Sequence, residues 1–116
     1  MSTEPSSQPN VLTLTIRDKS IVVPECNHIV VGRRAPTGQA QPDIDLSPFS
    51  AEIKGVSRRH LRIVHLGGTA VLVNDLYSAN GTWLNGERLK PLIEYPLNDG
   101  DLLRLGQLEI VVKFGT

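Results

Sequence analysis

Short runs of alternating apolar and polar residues, each stopped by a turn signal, make up most of this sequence. In residues 11–17, Leu12, Leu14 and Ile16 would point to one side of a strand and the residues between them to the other. Residues 108–114 alternate in the same way near the C-terminus. Glycine and proline interrupt almost every stretch long enough to hold a helix. The pattern therefore predicts an all-β fold in which many short strands form a β-sandwich.

Turn signals separate these strands from one another. The Asn-Gly pair at residues 85–86 is the strongest of them, because both residue types tolerate the positive φ angles of a type I′ hairpin turn. Further turns are predicted at residues 18–19, 66–68 and 98–101, and residues 35–41 have the composition of a loop. The other predicted strands are residues 20–23, 28–33, 43–46, 59–65, 69–75 and 102–105.

The size and charge of the chain limit what it can bind. Its 116 residues suit one domain with a single core. The 12 basic residues balance the 12 acidic ones, whereas a domain that binds nucleic acid along its phosphate backbone usually carries a basic face. The few aromatic residues are not interleaved with the arginines in the sequence, as a stacking surface for single strands would require. We therefore expect no nucleic-acid partner.

The N-terminal residues and the single cysteine indicate a compartment. Residues 1–10 are rich in Ser, Pro and Gln and have no apolar stretch, which predicts a disordered tail rather than a signal peptide. No apolar run approaches the roughly 20 residues that are needed to cross a bilayer. Cys26 has no partner for an internal disulfide, and the spacing of Cys and His fits no metal site. We expect a cytoplasmic domain at residues 11–116, with no membrane partner, metal or cofactor.

Polar residues cluster in three segments at which predicted strands end. The three motifs are Gly32-Arg33, then Ser57-x-x-His60, then Asn80-Gly81-Thr82 followed by Asn85-Gly86. Each motif alone is a weak signal, but the three together, in this order and at this spacing, are specific. They closely resemble the forkhead-associated (FHA) family, and the resemblance covers about residues 12–114.

This resemblance implies a fold and a ligand. The fold is a sandwich of about eleven strands with binding loops at one end, and the ligand is a short peptide that contains phosphothreonine. The implied partner is a phosphorylated protein, either a Ser/Thr kinase or a kinase substrate. Arg33 and Ser57 correspond to the family residues that contact the phosphate, and Asn80 to the residue that bonds to the peptide main chain. Arg58 is a further candidate for contact with the phosphopeptide.

Other matching residues are expected to shape the loops rather than touch the ligand. His60 corresponds to a family histidine that braces the Ser57 loop from behind, and the remaining residues of this kind are Gly32, Gly81 and Thr82. Two features depart from the family pattern. Residues 35–54 form an enlarged segment near the binding end. Residue 79 is Ala79, whereas many relatives have at this position a hydroxyl that donates to phosphate. Arg58 or Ser78 would therefore have to supply that bond.

The chemistry of these residue types agrees with the resemblance. A phosphothreonine carries about −1.5 to −2 charges and three strong acceptor oxygens. An arginine offers a planar fork of donors, a serine a compact donor, and an asparagine both donors and an acceptor for an extended peptide. Loops on a rigid scaffold are a usual place for such phosphate recognition.

Two other classes of function remain to be compared with this one. A phosphate-independent scaffold or dimerisation domain could use the same sandwich, although it would not need Arg33, Ser57 and Asn80. An enzyme is disfavoured, because the pattern supplies no carboxylate partner for Ser57 and His60 and contains no Gly-x-Ser-x-Gly motif. We therefore expect a binding module without catalytic residues.

Overall fold

A computed structural model describes residues 11–66 and 70–115, which form two β-sheets around one core. The described residues contain eleven strands and one short 3₁₀-helix, Ser47–Phe49, so the predicted all-β sandwich of about eleven strands is confirmed. The strands are β1 Leu12–Ile16, β2 Lys19–Val22, β3 His28–Gly32, β4 Ile44–Asp45, β5 Leu61–His65, β6 Val71–Asp75, β7 Thr82–Leu84, β8 Glu87–Arg88, β9 Tyr95–Pro96, β10 Leu102–Leu105 and β11 Leu108–Phe114.

Each of the two sheets contains strands from both the first and the second half of the chain. One sheet has six strands in the order β2-β1-β11-β10-β7-β8, and the other has five in the order β4-β3-β5-β6-β9. Neighbouring strands are antiparallel except for β3 and β4, which are parallel. The first and last long strands, β1 and β11, pair with each other near the middle of the six-stranded sheet.

The core explains why β1 alternates as the sequence predicts. Leu12, Leu14 and Ile16 are almost completely buried, and they share the core with Leu61 and Ile63 from the opposite sheet. Burying a side chain of this size contributes about 1.5–3 kcal/mol relative to leaving it exposed. A shift of one residue in register would turn all three β1 side chains outward, so the burial fixes the register.

The turns in the structure agree only in part with the turns predicted from the sequence. Asn85 and Gly86 have φ angles of 52° and 88°, so the predicted turn between β7 and β8 is confirmed. The turn between β1 and β2 is one residue earlier than residues 18–19, because Ile16 pairs with Lys19 and Arg17 takes a φ of 59°. Strand β5 begins at Leu61, two residues later than predicted.

Some predictions fall on parts of the chain that the structure does not describe. The tail at residues 1–10 and most of the turn at residues 66–68 lie outside the described residues. Within residues 11–66 and 70–115, no helix is long and apolar enough to cross a membrane. The same residues contain no group of three or more His, Cys, Asp or Glu side chains that could hold a metal ion.

Candidate functional site

The end of strand β3 lies against the backbone of the loop that precedes β5. Gly32 leaves no room for a side chain, because a Cβ atom there would overlap the carbonyl oxygen of Arg58 and lie 2.8 Å from that of Ser57. The next residue, Arg33, donates its backbone N–H to the Ser57 carbonyl over 3.3 Å. The close approach at the glycine therefore brings Arg33 and Ser57 next to each other.

The Arg33 side chain is held by the same loop. Its Nε atom donates to the Val56 carbonyl over 2.8 Å, and its half-buried guanidinium forms no ion pair with any residue in the described ranges. Arg33 lines a cleft of about 760 Å³ together with Arg58 and with Ser47 of the 3₁₀-helix, while Glu52 contributes an acidic side chain to the lining. An anion in this cleft would meet charged donors on Arg33 and Arg58.

A buried histidine joins this loop to the next one. The Ser57 N–H donates to His60 Nδ1 over 3.0 Å, so the ring proton is on Nε2, which donates to the Gly81 carbonyl over 2.9 Å. His60 has 0% of its surface exposed. Burial lowers the pKa of His60, while the bond to Gly81 and the charge of Asp75 raise it by less. The neutral ring therefore bridges the Ser57 loop and the Gly81 loop.

A buried carboxylate shapes the loop between β6 and β7. Asp75 accepts hydrogen bonds from the backbone N–H and the hydroxyl of Ser78, and from the hydroxyl of Thr82 over 2.7 Å. Ser78 Oγ in turn accepts from the Gly81 N–H over 3.1 Å. Asp75 is not among the residues predicted from the sequence, although an Asp at a strand end followed three residues later by Ser is typical of a local side-chain turn.

Two further hydrogen bonds connect the loops at their exposed edges. Ser57 Oγ accepts from the Ala79 N–H over 3.0 Å, and Asn80 Nδ2 donates to the Gly55 carbonyl over 3.0 Å. Ser57 is half-buried, whereas Asn80 and Ala79 are exposed. Because the Ser57 oxygen accepts a hydrogen bond from the Ala79 N–H, its own hydroxyl proton stays available to an acceptor in solution.

The structure brings the eight residues singled out in the sequence together at one end of the sandwich. They lie at or just after the end of β3, before β5, or between β6 and the start of β7. They are Gly32, Arg33, Ser57, Arg58, His60, Asn80, Gly81 and Thr82. Arg34, beside Arg33, lies on the surface, and its Nε atom is 3.5 Å from Oδ2 of Asp45. Part of residues 35–54 lines the cleft with Arg33, so the enlarged segment adjoins this site.

Comparison with protein families gives a match to one of them. The family described as "FHA domain" matches residues 29–106, which include every one of the eight residues. Among curated proteins, the FHA domain-containing protein FhaA of Mycobacterium tuberculosis is 49% identical over 59 residues. That match covers 51% of this chain and 10% of FhaA, so the chain spans about a tenth of that relative.

Solved structures give matches along most of the chain. A structure from a study of phosphothreonine-dependent FHA domain interactions is 34% identical with a TM-score of 0.68, and the match covers 90% of this chain and 96% of that one. EmbR of Mycobacterium tuberculosis, solved in complex with a low-affinity phosphopeptide, is 30% identical with a TM-score of 0.72. The match to EmbR covers 91% of this chain and 25% of EmbR.

Proposed function

The chain belongs to the FHA domain family, and from this membership we infer that it is a non-catalytic module that binds phosphothreonine in an extended peptide. The observation that carries the proposal is the convergence of Arg33, Ser57 and Asn80 from three separate segments onto one end of the sandwich. Two similar proteins support it, one studied for phosphothreonine-dependent interactions and one, EmbR, solved with a phosphopeptide.

In this proposal Arg33 and Ser57 hold the phosphate. The bond from Arg33 Nε to Val56 fixes the guanidinium but leaves its terminal nitrogens to donate to phosphate oxygens. Ser57 accepts from Ala79, and it can therefore turn its hydroxyl proton towards the same phosphate. Hydrogen bonds to a charged group contribute about 1.5–3 kcal/mol each, so two such residues account for a strong preference for the phosphorylated peptide.

Asn80 and Arg58 complete the proposed contacts. One N–H of the Asn80 amide is bonded to Gly55, which orients the group and leaves its oxygen and second N–H for the peptide main chain. Arg58 is exposed at the cleft that Arg33 lines, and there it can add charge to the phosphate site. His60, Gly32, Gly81 and Thr82 act behind these contacts by holding the loops in place.

The proposed partner is a phosphothreonine-containing protein, either a Ser/Thr kinase or one of its substrates, in a cytoplasmic signalling complex. A library of peptides with a fixed central phosphothreonine, tested beside the same library with unmodified threonine, identifies the preferred sequence. We expect the phosphorylated library alone to be retained. Equal retention of both libraries would instead favour the phosphate-independent scaffold, and retention of neither would contradict peptide binding of this kind.

A further inference from the structure

The cleft that contains Arg33 is lined in part by a short segment that carries two serine residues. This segment consists of the 3₁₀-helix Ser47–Phe49 and the turns at residues 50–55, and both Ser47 and Ser50 line the cleft. The charged residues in the same lining are Arg33, Arg34, Arg58 and Glu52. Two serine hydroxyls of the chain itself therefore share a cleft with the donors that we propose for the phosphate of a partner.

The serines at and beside this cleft differ in what their hydroxyls already bind. The Ser47 oxygen accepts the Arg34 N–H over 2.9 Å, and the Ser47 N–H donates to Asp45, so a phosphate on Ser47 would lie beside a carboxylate. The Ser57 oxygen accepts a backbone hydrogen bond. Ser50 is exposed, and its hydroxyl forms no hydrogen bond to another residue within 11–66 and 70–115. Its hydroxyl is therefore the one with no bond to lose on modification.

The backbone around Ser50 favours access by an enzyme. Ser50 ends the 3₁₀-helix with φ 63° and ψ 36°, a left-handed conformation that a serine rarely adopts. Residues 50–55 belong to no strand or helix, although the buried side chains of Leu46 and Ala51 anchor the segment on both sides of the helix. Turns of this kind open locally at a lower free-energy cost than strands in the core. A modifying enzyme can therefore reach Ser50 without unfolding the sheets.

We propose that Ser50 is a phosphorylation site, and that its phosphate occupies the arginine cleft and excludes the phosphothreonine of a partner. The proposal rests on the proposed function, because it regulates the same site. A Ser/Thr kinase transfers the γ-phosphoryl group of ATP to Ser50 Oγ, and the bond between that phosphorus and the oxygen bridging to the β-phosphate breaks. The hydroxyl proton passes to a base of the kinase, and ADP leaves. Hydrolysis by a phosphatase restores the hydroxyl and releases inorganic phosphate.

The charges that line the cleft favour this occupancy. A phosphoserine adds about −1.5 to −2 charges and three acceptor oxygens. Arg33 is bonded to Val56 only through Nε, and Arg58 is exposed and forms no ion pair in the described part of the chain. Glu52 is the one acidic side chain among the described residues of the lining, so the positive charges outnumber the negative. Because the phosphate is tethered, it meets these donors at an effective concentration of about millimolar, which lets it compete with a peptide.

Calorimetric titration of one phosphothreonine peptide tests the exclusion. Phosphoserine is incorporated during translation at position 50 or, as the control, at position 20, where an exposed serine lies on β2 of the other sheet. We expect phosphoserine at position 50 to weaken binding by about tenfold or more, and phosphoserine at position 20 to leave it unchanged. Equal affinity of the two phosphorylated forms would overturn the exclusion.

Two substitutions separate charge from shape at the same position. Ser50→Asp should weaken peptide binding several-fold, whereas Ser50→Asn should leave it unchanged. Asp and Asn both tolerate the left-handed conformation, so the two variants differ in charge and not in backbone strain. The same loss of affinity in both would overturn an electrostatic exclusion.

Phosphorus NMR reports where the phosphate of Ser50 lies without any peptide. Neighbouring arginines favour the dianion, so the second pKa of phosphoserine at position 50 should be lower than at position 20 by about 0.5 or more. Arg58→Gln should raise that pKa again, and Arg59→Gln, at an exposed position outside the lining, should not. The same pKa at positions 50 and 20 would show that the phosphate does not enter the cleft, and would overturn the proposal.

Phosphopeptide mapping of the protein isolated from its own cells, with phosphatases inhibited, shows whether the site is used. We expect phosphate on Ser50 in part of the molecules, and detection of the Ser50 peptide in its unmodified form alone, under every growth condition, would overturn the modification. If no phosphothreonine peptide binds the unmodified domain, the proposed function fails and the exclusion fails with it. If peptides bind through Arg33 and phosphate at position 50 leaves their affinity unchanged, only the present proposal is overturned.

Discussion

Replacing His60 tests whether a buried histidine supports the binding loops or contacts the ligand. The ring is completely buried and forms one hydrogen bond to each of two loops, through Ser57 and Gly81. His60→Ala therefore removes two hydrogen bonds, leaves the partly buried N–H of Ser57 and the buried carbonyl of Gly81 without partners, and creates a cavity. We expect the domain to lose stability and the Ser57 loop to lose its fixed position.

The size of the effect follows from these losses. Removing one partner of a buried hydrogen bond costs about 1–3 kcal/mol, and a cavity left by a large buried side chain adds a comparable amount. We therefore expect His60→Ala to reduce the free energy of unfolding by about 3–5 kcal/mol. For a domain of this size that loss lowers Tm by more than roughly 10 °C.

Thermal and urea unfolding, combined with calorimetric titration of a phosphopeptide, measure both effects. The matched control is His65→Ala, because His65 lies in β5, is half-buried and has one hydrogen bond, to the Cys26 carbonyl, that water can replace. We expect His65→Ala to change Tm little and binding not at all. Stability that stays intact in His60→Ala while binding is lost would refute the role as a support and make His60 a ligand contact.

The pH dependence of stability gives a second check on His60. Because burial lowers its pKa below the ordinary value of 6.5, the unfolded chain binds a proton that the folded chain does not bind in the range just below that value. The contribution of the neutral His60 ring to stability should therefore be fully present above about pH 6.5. It should decrease as the pH falls further, towards the lowered pKa of His60 in the folded state. In His60→Ala this decrease should be smaller, and an unchanged slope would contradict a neutral buried ring.

Three other substitutions test separate parts of the site. Asp75→Asn should destabilise the domain by about 2–4 kcal/mol in urea unfolding, because an amide cannot accept all three hydrogen bonds. Ser57→Ala should weaken phosphopeptide binding by about tenfold or more with little change in Tm, since one bond to a charged group is lost at a half-exposed position. Ala79→Thr should tighten binding of the phosphopeptide several-fold and leave the unphosphorylated peptide unchanged in calorimetry, and an equal gain for both would refute a new bond to phosphate.

The sequence predicts the fold well where the signals are local. Alternation in β1 and β11, and the Asn85-Gly86 turn, depend on residues that are close in the chain, and the structure has them as expected. The predicted position of the first turn was wrong by one residue. The pairing of Ile16 with Lys19 sets the register of β1 and β2, and the composition of the turn does not reveal that pairing. The three motifs indicated the candidate site because each adjoins the end or the start of a strand at the same end of the sandwich.

Features that depend on how a loop folds were predicted less well. The bond from Ser78 to Asp75 is local and the spacing of the two residues could have indicated it, whereas the bond from Thr82 to Asp75 forms only because the loop folds back on the end of β6. Ser78 cannot substitute for the hydroxyl that Ala79 lacks, since its proton is donated to Asp75. Of Arg58 and Ser78, Arg58 is therefore the remaining candidate for the additional bond to phosphate.

The structure brings an aromatic residue and arginines together that are separated in the sequence. No aromatic residue is next to an arginine along the chain, but antiparallel pairing places Trp83 between Arg88 and Arg104 in space. Strands β7, β8 and β10 bring together residues that are up to 21 positions apart in the sequence, between Trp83 and Arg104. A pattern of spacing along the chain cannot show this arrangement.

Calorimetric titration of a phosphothreonine peptide against Arg33→Ala tests the central claim most directly. Arg59→Ala is the matched control, because Arg59 is exposed and lies in the same loop as Ser57. Losing one partner of a desolvated charge pair costs about 2–5 kcal/mol, so we expect Arg33→Ala to weaken binding by at least roughly thirtyfold and Arg59→Ala to leave it unchanged. Both variants should keep the Tm of the wild type. Equal affinity of the wild type and Arg33→Ala for the phosphorylated peptide would contradict phosphate recognition at this site.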